Sequence, residues 1–139
     1  MLRSLFFLMI VAALCVGAAA QSPTIVTQVS LTNQAAPIPK TTLVTPSADA
    51  LYRVTAYFVV TKTNRSGTLW HLTLGWEGDG GTKATDVTIA SNPNEGYPTW
   101  VSWTVSPGDK AGFPLTYQVG PTGTIANPYN LFITVEQLQ

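Results

Sequence analysis

The chain has 139 residues, 45% of them apolar and only 10% charged, with seven basic and seven acidic side chains and a formal net charge of zero. No basic stripe runs through it, which removes the electrostatic footprint of a nucleic-acid binder. The length suits one domain, and the low charge leaves copies of the chain free to associate.

Arg3, an apolar run from Leu5 to Val16 and the small residues Ala18-Ala19-Ala20 precede Gln21. A positive start, a short apolar stretch and small residues at a cleavage point are the three parts of a secretory signal peptide. Gly17 interrupts the run, and the whole is too short for a comfortable membrane span. The expected organisation is a cleaved signal peptide over 1–20, amino-terminal strands and a proline-containing connection over 21–50, and a main β-sandwich body over 51–139. Residues 21–139 are expected to form one domain, secreted to the periplasm or the exterior, with no stable membrane insertion after cleavage.

Removing the leader leaves 119 residues, with six basic side chains against seven acidic ones. A chain of that size buries roughly two thirds of its unfolded surface. Cys15 is the only cysteine and lies in the leader, so the remaining domain is held by its apolar core without a disulfide. The bulky Leu14 directly before Cys15 departs from the small residue of bacterial lipoproteins, so lipidation is not expected.

Thr24 to Thr32 alternates Ile25, Val29 and Leu31 with Gln28 and Ser30. Pro37 and Pro39 separate it from a weaker strand, Lys40 to Thr45, and confine both pieces to an edge or a connection, because proline cannot donate to a ladder. Leu51 to Thr61 is the strongest strand, with Tyr52, Val54, Ala56, Phe58 and Val60 on one face. After the turn Asn64-Arg65-Ser66-Gly67, Thr68 to Trp76 places Trp70, Leu72, Leu74 and Trp76 together. Gly78-Asp79-Gly80-Gly81 supplies the positive φ of a tight hairpin.

Lys83 to Ala90 returns with Val87 and Ile89 inward. Beyond the loop Asn92–Gly96, Thr99 to Val105 sets Val101, Trp103 and Val105 opposite Trp100 and Ser102. Pro107-Gly108-Asp109 is another turn, followed by a strand lined by Leu115, Tyr117 and Val119. Tyr129, Leu131, Ile133 and Val135 face inward on the last strand.

Seven to eight short strands joined by Gly, Pro and Asn turns predict an all-β, antiparallel β-sandwich. The count favours a jelly-roll-like order, with an immunoglobulin-like order as the alternative. In strand spacing and turn composition the chain resembles bacterial secreted jelly-roll domains and the trimeric jelly rolls of the tumour-necrosis-factor type. No motif carries that resemblance, and no residue role follows from it.

Catalytic chemistry is sparse. His71, the only histidine, sits opposite the tryptophans of its strand and reads as a solvent-exposed side chain. No Gly-x-Ser-x-Gly elbow accompanies it, and one histidine without cysteine makes no closed zinc site. Glu77, Asp79 and Asp86 gather around one hairpin, where a turn-capping Asp79 and a solvated Glu77 are preferred to a glycosidase pair. A structural calcium ion on Glu77 and Asp79 is the weak metal candidate. Asn64-Arg65-Ser66 is a glycosylation acceptor if the host is eukaryotic.

The aromatic residues are more informative. Trp70, Trp76 and Trp103 fall on inward faces and read as core. Tyr57, Trp100 and Phe132 lie on outward faces, with Tyr97 in the loop before Trp100, and together predict an exposed aromatic patch. The Thr24–Thr32 segment reads as the first strand of the sandwich, with pairing to a neighbouring copy as its alternative.

The function expected is that of a secreted, non-catalytic structural or protein-interaction module without cofactors. It self-associates, or docks on another extracytoplasmic protein, through the outer aromatic face or the amino-terminal strand. The alternative is a carbohydrate-binding module in which Trp100 and Tyr97 stack on sugar rings.

Overall fold

The alternation of apolar and polar residues resolves into eight strands: β1 (Thr24–Gln34), β2 (Ile38–Val44), β3 (Tyr52–Val60), β4 (Leu69–Gly78), β5 (Gly81–Ile89), β6 (Pro98–Val105), β7 (Leu115–Thr122) and β8 (Tyr129–Gln137). The computed structural model describes residues 22–47, 50–61, 69–78, 81–89, 98–105, 113–122 and 127–138. The expected signal peptide over 1–20, the expected turn and glycosylation acceptor at Asn64-Arg65-Ser66, and Tyr97 lie outside the described residues.

Two four-stranded sheets face each other, in the orders β1-β8-β3-β6 and β2-β7-β4-β5. Every neighbouring pair is antiparallel. The pairing is nested: β1 takes β8, β2 takes β7, β3 takes β6 and β4 takes β5. A long hairpin of eight strands, four in each arm, rolled on itself gives this order, which is a jelly roll. An immunoglobulin-like sandwich keeps its first two strands in one sheet. Here β1 and β2 enter different sheets, so that alternative is set aside.

Period-two burial is clearest on the central strands. Tyr52, Val54, Ala56, Phe58 and Val60 on β3 are buried, as are Tyr129, Leu131, Ile133 and Val135 on β8. From the second sheet Trp70, Leu72 and Leu74 of β4 and Leu115, Tyr117 and Val119 of β7 meet them. Trp76, Val101 and Trp103, expected in the core, are only partly buried against it. The last two lie on β6, an edge strand with a neighbour on one side only. Trp76 lies near the β4–β5 hairpin, where Gly81 takes the positive φ of 105° that the glycine-rich turn implied.

Tyr129 ties one end of the sandwich together. Its ring stacks on Phe58 at 4.8 Å and meets Trp70 at 4.6 Å, tilted by 59°. Its hydroxyl donates to the Ala36 carbonyl at 3.0 Å, fixing the β1–β2 connection. Trp70 Nε1 donates to the Asn127 carbonyl at 3.1 Å, and the Thr61 amide donates to the Pro128 carbonyl at 2.8 Å.

Burial, with a smaller contribution from Tyr117, pushes the Tyr129 phenol from 10.0 up to about 12. Burial also raises Tyr52 and Tyr117. A phenol with a raised folded pKa stabilises the fold fully below its unfolded value and loses that contribution as pH climbs through the folded one. Urea stability is therefore expected to fall between about pH 10 and 12. Tyr129→Phe should flatten that limb and cost about 1 kcal/mol at neutral pH for the lost hydrogen bond. An alkaline limb identical to wild type would contradict this role of the phenol.

Candidate functional site

The first sheet places the outward aromatic residues in one cross-strand row. Ser30 of β1 faces Phe132 of β8, Phe132 faces Tyr57 of β3, and Tyr57 faces Trp100 of β6. The Tyr57 and Phe132 rings lie 5.9 Å apart, tilted by 36°. Both are half-buried, so the expectation of an exposed patch is met only in part: each ring covers part of its neighbour. Trp100 is placed by its backbone register, and Tyr97 lies outside the described residues.

Parallel to this row runs a polar one, Gln28–Thr134–Thr55–Ser102. Thr55 Oγ1 and Ser102 Oγ stand 3.5 Å apart across the strands. In the next row Arg53 Nε donates to Glu136 Oε2 at 2.7 Å. That hydrogen bond holds the Glu136 carboxyl below the usual carboxylate range and raises the Arg53 guanidinium. Solvent screens the pair, so it positions the two side chains more than it stabilises the fold.

The edges of the two sheets differ in chemistry. In the second sheet, β2 carries Pro39 and Lys40, and β5 carries Lys83 and Asp86. Charges and proline are the usual means by which proteins keep an edge from pairing. In the first sheet, β1 has neither over eleven residues, and β6 has neither after its initial Pro98. Ile25 and Val26 on β1 are 55% and 38% exposed.

Two register shifts in β1, at Ile25/Thr27 and Leu31/Gln34, bracket a regular stretch from Thr27 to Leu31. At the second, Asn33 takes a φ of 54° and its amide donates to Asn130 Oδ1 at 2.7 Å. Asparagine tolerates this left-handed conformation better than most residues. Thr27 Oγ1 donates to the Leu43 carbonyl at 2.8 Å and so links β1 to β2 at the corner of the sandwich. The inner side of β1 pairs with β8 of its own chain, which leaves only its outer side open to a second copy.

The outer face of the second sheet holds two adjoining hollows of about 200 and 300 Å³, joined through Thr73 and Gln118. Sequence reasoning passed over the floor of the first. A Cβ on Gly75 would stand 3.1 Å from Thr116 Oγ1, so glycine leaves room for the 3.1 Å bond from that hydroxyl to the Gly75 carbonyl. Thr116 is buried although its position in the register puts it beside Gly75 on this outer face. The only sequence signal for the pairing is a glycine inside a strand.

His71 lines the second hollow and is half-buried, more covered than the sequence implied. Glu77 lines the first hollow opposite Thr82, and its proposed calcium partner Asp79 lies outside the described residues. Among the described residues, no three His, Cys, Asp or Glu side chains cluster. Among them, too, no helix is long and apolar enough to cross a membrane.

No family model matches the sequence, and no curated protein matches it. A solved structure described as "Bacillus endospore appendages form a novel family of disulfide-linked pili" aligns with 88% of this chain and 95% of its own, at 18% identity and a TM-score of 0.41. A likeness that distant assigns no function.

Proposed function

We propose that the protein is a secreted, non-catalytic structural subunit that associates with copies of itself through its first sheet. The carrying observation is the contrast between edges: charge or proline within both outer strands of the second sheet, neither in β1 and none in β6 beyond Pro98. An edge strand presents a row of backbone donors and acceptors that pairs with any strand not kept away from it. The near-zero net charge adds no long-range repulsion between copies.

The sugar-binding reading is less well supported. The rings it calls on are Trp100, placed by its register alone, and Tyr97, outside the described residues, so no observation of the structure favours it. Sedimentation velocity on the protein purified after expression of the full chain with its leader, from micromolar to millimolar, tests the proposal. Mass that grows with concentration is the expected result. A monomer throughout would overturn it.

A further inference from the structure

We infer that the copies join head to tail, β1 of one molecule pairing antiparallel with β6 of the next. This inference rests on the self-association proposed above and specifies its geometry. Every neighbour in β1-β8-β3-β6 is antiparallel, so β6 runs opposite to β1. Sliding a second copy along the sheet sets its β1 beside β6 in the same alternation, with inner faces on the same side. One kind of contact then satisfies both open edges at every junction.

Side-chain size selects this pairing over the two-fold alternatives. The inward residues of both edges are incompletely covered: Val29 and Leu31 on β1, Val101 and Trp103 on β6. β6 carries the bulk, with Trp100 and Trp103, whereas the regular stretch of β1 is built from Thr27, Gln28, Val29, Ser30 and Leu31. Aromatic residues opposite β-branched ones make favourable cross-strand pairs, and large against small fills space. A two-fold β6–β6 contact crowds the tryptophans of both copies onto one strand pair, and a β1–β1 contact leaves the bulky edges uncovered. The head-to-tail contact repeats the same patch against a different one, so it propagates into a filament or closes as a ring.

Two variants separate the possibilities. Ile25→Lys with Val26→Lys blocks β1 at exposed positions, and Ser102→Lys with Thr104→Lys blocks β6 at exposed positions. Each variant alone is expected to sediment as a monomer, and their equimolar mixture as a dimer that grows no further. A β6-blocked variant that dimerises alone would show β1–β1 pairing and overturn the inference. A β1-blocked variant that dimerises alone would do so through β6–β6 pairing.

A mixture that stays monomeric while the unaltered protein associates also overturns the head-to-tail geometry, and leaves self-association standing. An unaltered protein that never associates removes both. Unchanged urea midpoints establish that the variants fold. Gln28→Lys with Ser30→Lys replaces the β1 pair, and Ser102→Lys alone the β6 pair, where a midpoint falls.

Discussion

Replacing Trp70 by alanine is expected to cost about 3–5 kcal/mol, because it empties the largest fully buried side chain of the core. The loss has three parts: the ring volume, the contact with Tyr129 at 4.6 Å, and the indole donor to the Asn127 carbonyl at 3.1 Å. The hydrogen bond contributes about 1 kcal/mol of this. A domain of this size is stable by about 5–15 kcal/mol in all. No cysteine lies within 21–139, so no disulfide offsets the damage.

Trp70→Ala should therefore unfold at a much lower urea concentration than wild type, with loss of the near-ultraviolet aromatic signal. Trp70→Phe should keep most of the packing and forfeit the hydrogen bond. An alanine variant within about 1 kcal/mol of wild type would contradict the place given to this ring.

The second large effect concerns association and spares stability. Ile25 and Val26 face solvent, so Ile25→Lys with Val26→Lys is expected to move the unfolding free energy by no more than about 0.5 kcal/mol per site. In a β1 pairing the added strand covers part of each of these side chains. Partial cover of about one methylene's worth each contributes about 0.8 kcal/mol per side chain, so the double change should weaken association by about tenfold or more. Two ammonium groups set against an uncharged strand add to that loss. Equal association by variant and wild type, read by sedimentation, would remove β1 from the interface.

Much of this fold was legible because a strand's side-chain period is local. The inward sets of β3, β7 and β8 follow from alternation, and so do Trp70, Leu72 and Leu74 of β4. Proline placed β2 at an edge, where the structure has it. Strand order was not legible. β1 pairs with β8 across almost the whole chain, and nothing in Thr24–Gln34 names Tyr129–Gln137 as its partner.

Depth of burial was misjudged where a strand has one neighbour. Val101 and Trp103 alternate like core residues, yet β6 is an edge and leaves them half covered. Thr116 shows the converse, a polar residue on an outer face that is nonetheless buried beside Gly75. The aromatic row of Tyr57, Phe132 and Trp100 was readable as three outward residues. Their alignment in one register needed the sheet. The edge contrast was present in the sequence all along, as prolines and charges in β2 and β5, but it acquires meaning only once the edges are known.

Amide hydrogen exchange, followed strand by strand in dilute and in concentrated protein, tests the edge pairing most directly. In a lone molecule the outward amides of all four edge strands exchange with solvent. On concentration, new protection is expected in β1 and β6, with β2 and β5 unchanged. Protection gained in β2 or β5 instead, or in no edge strand at all, would overturn the β1–β6 pairing.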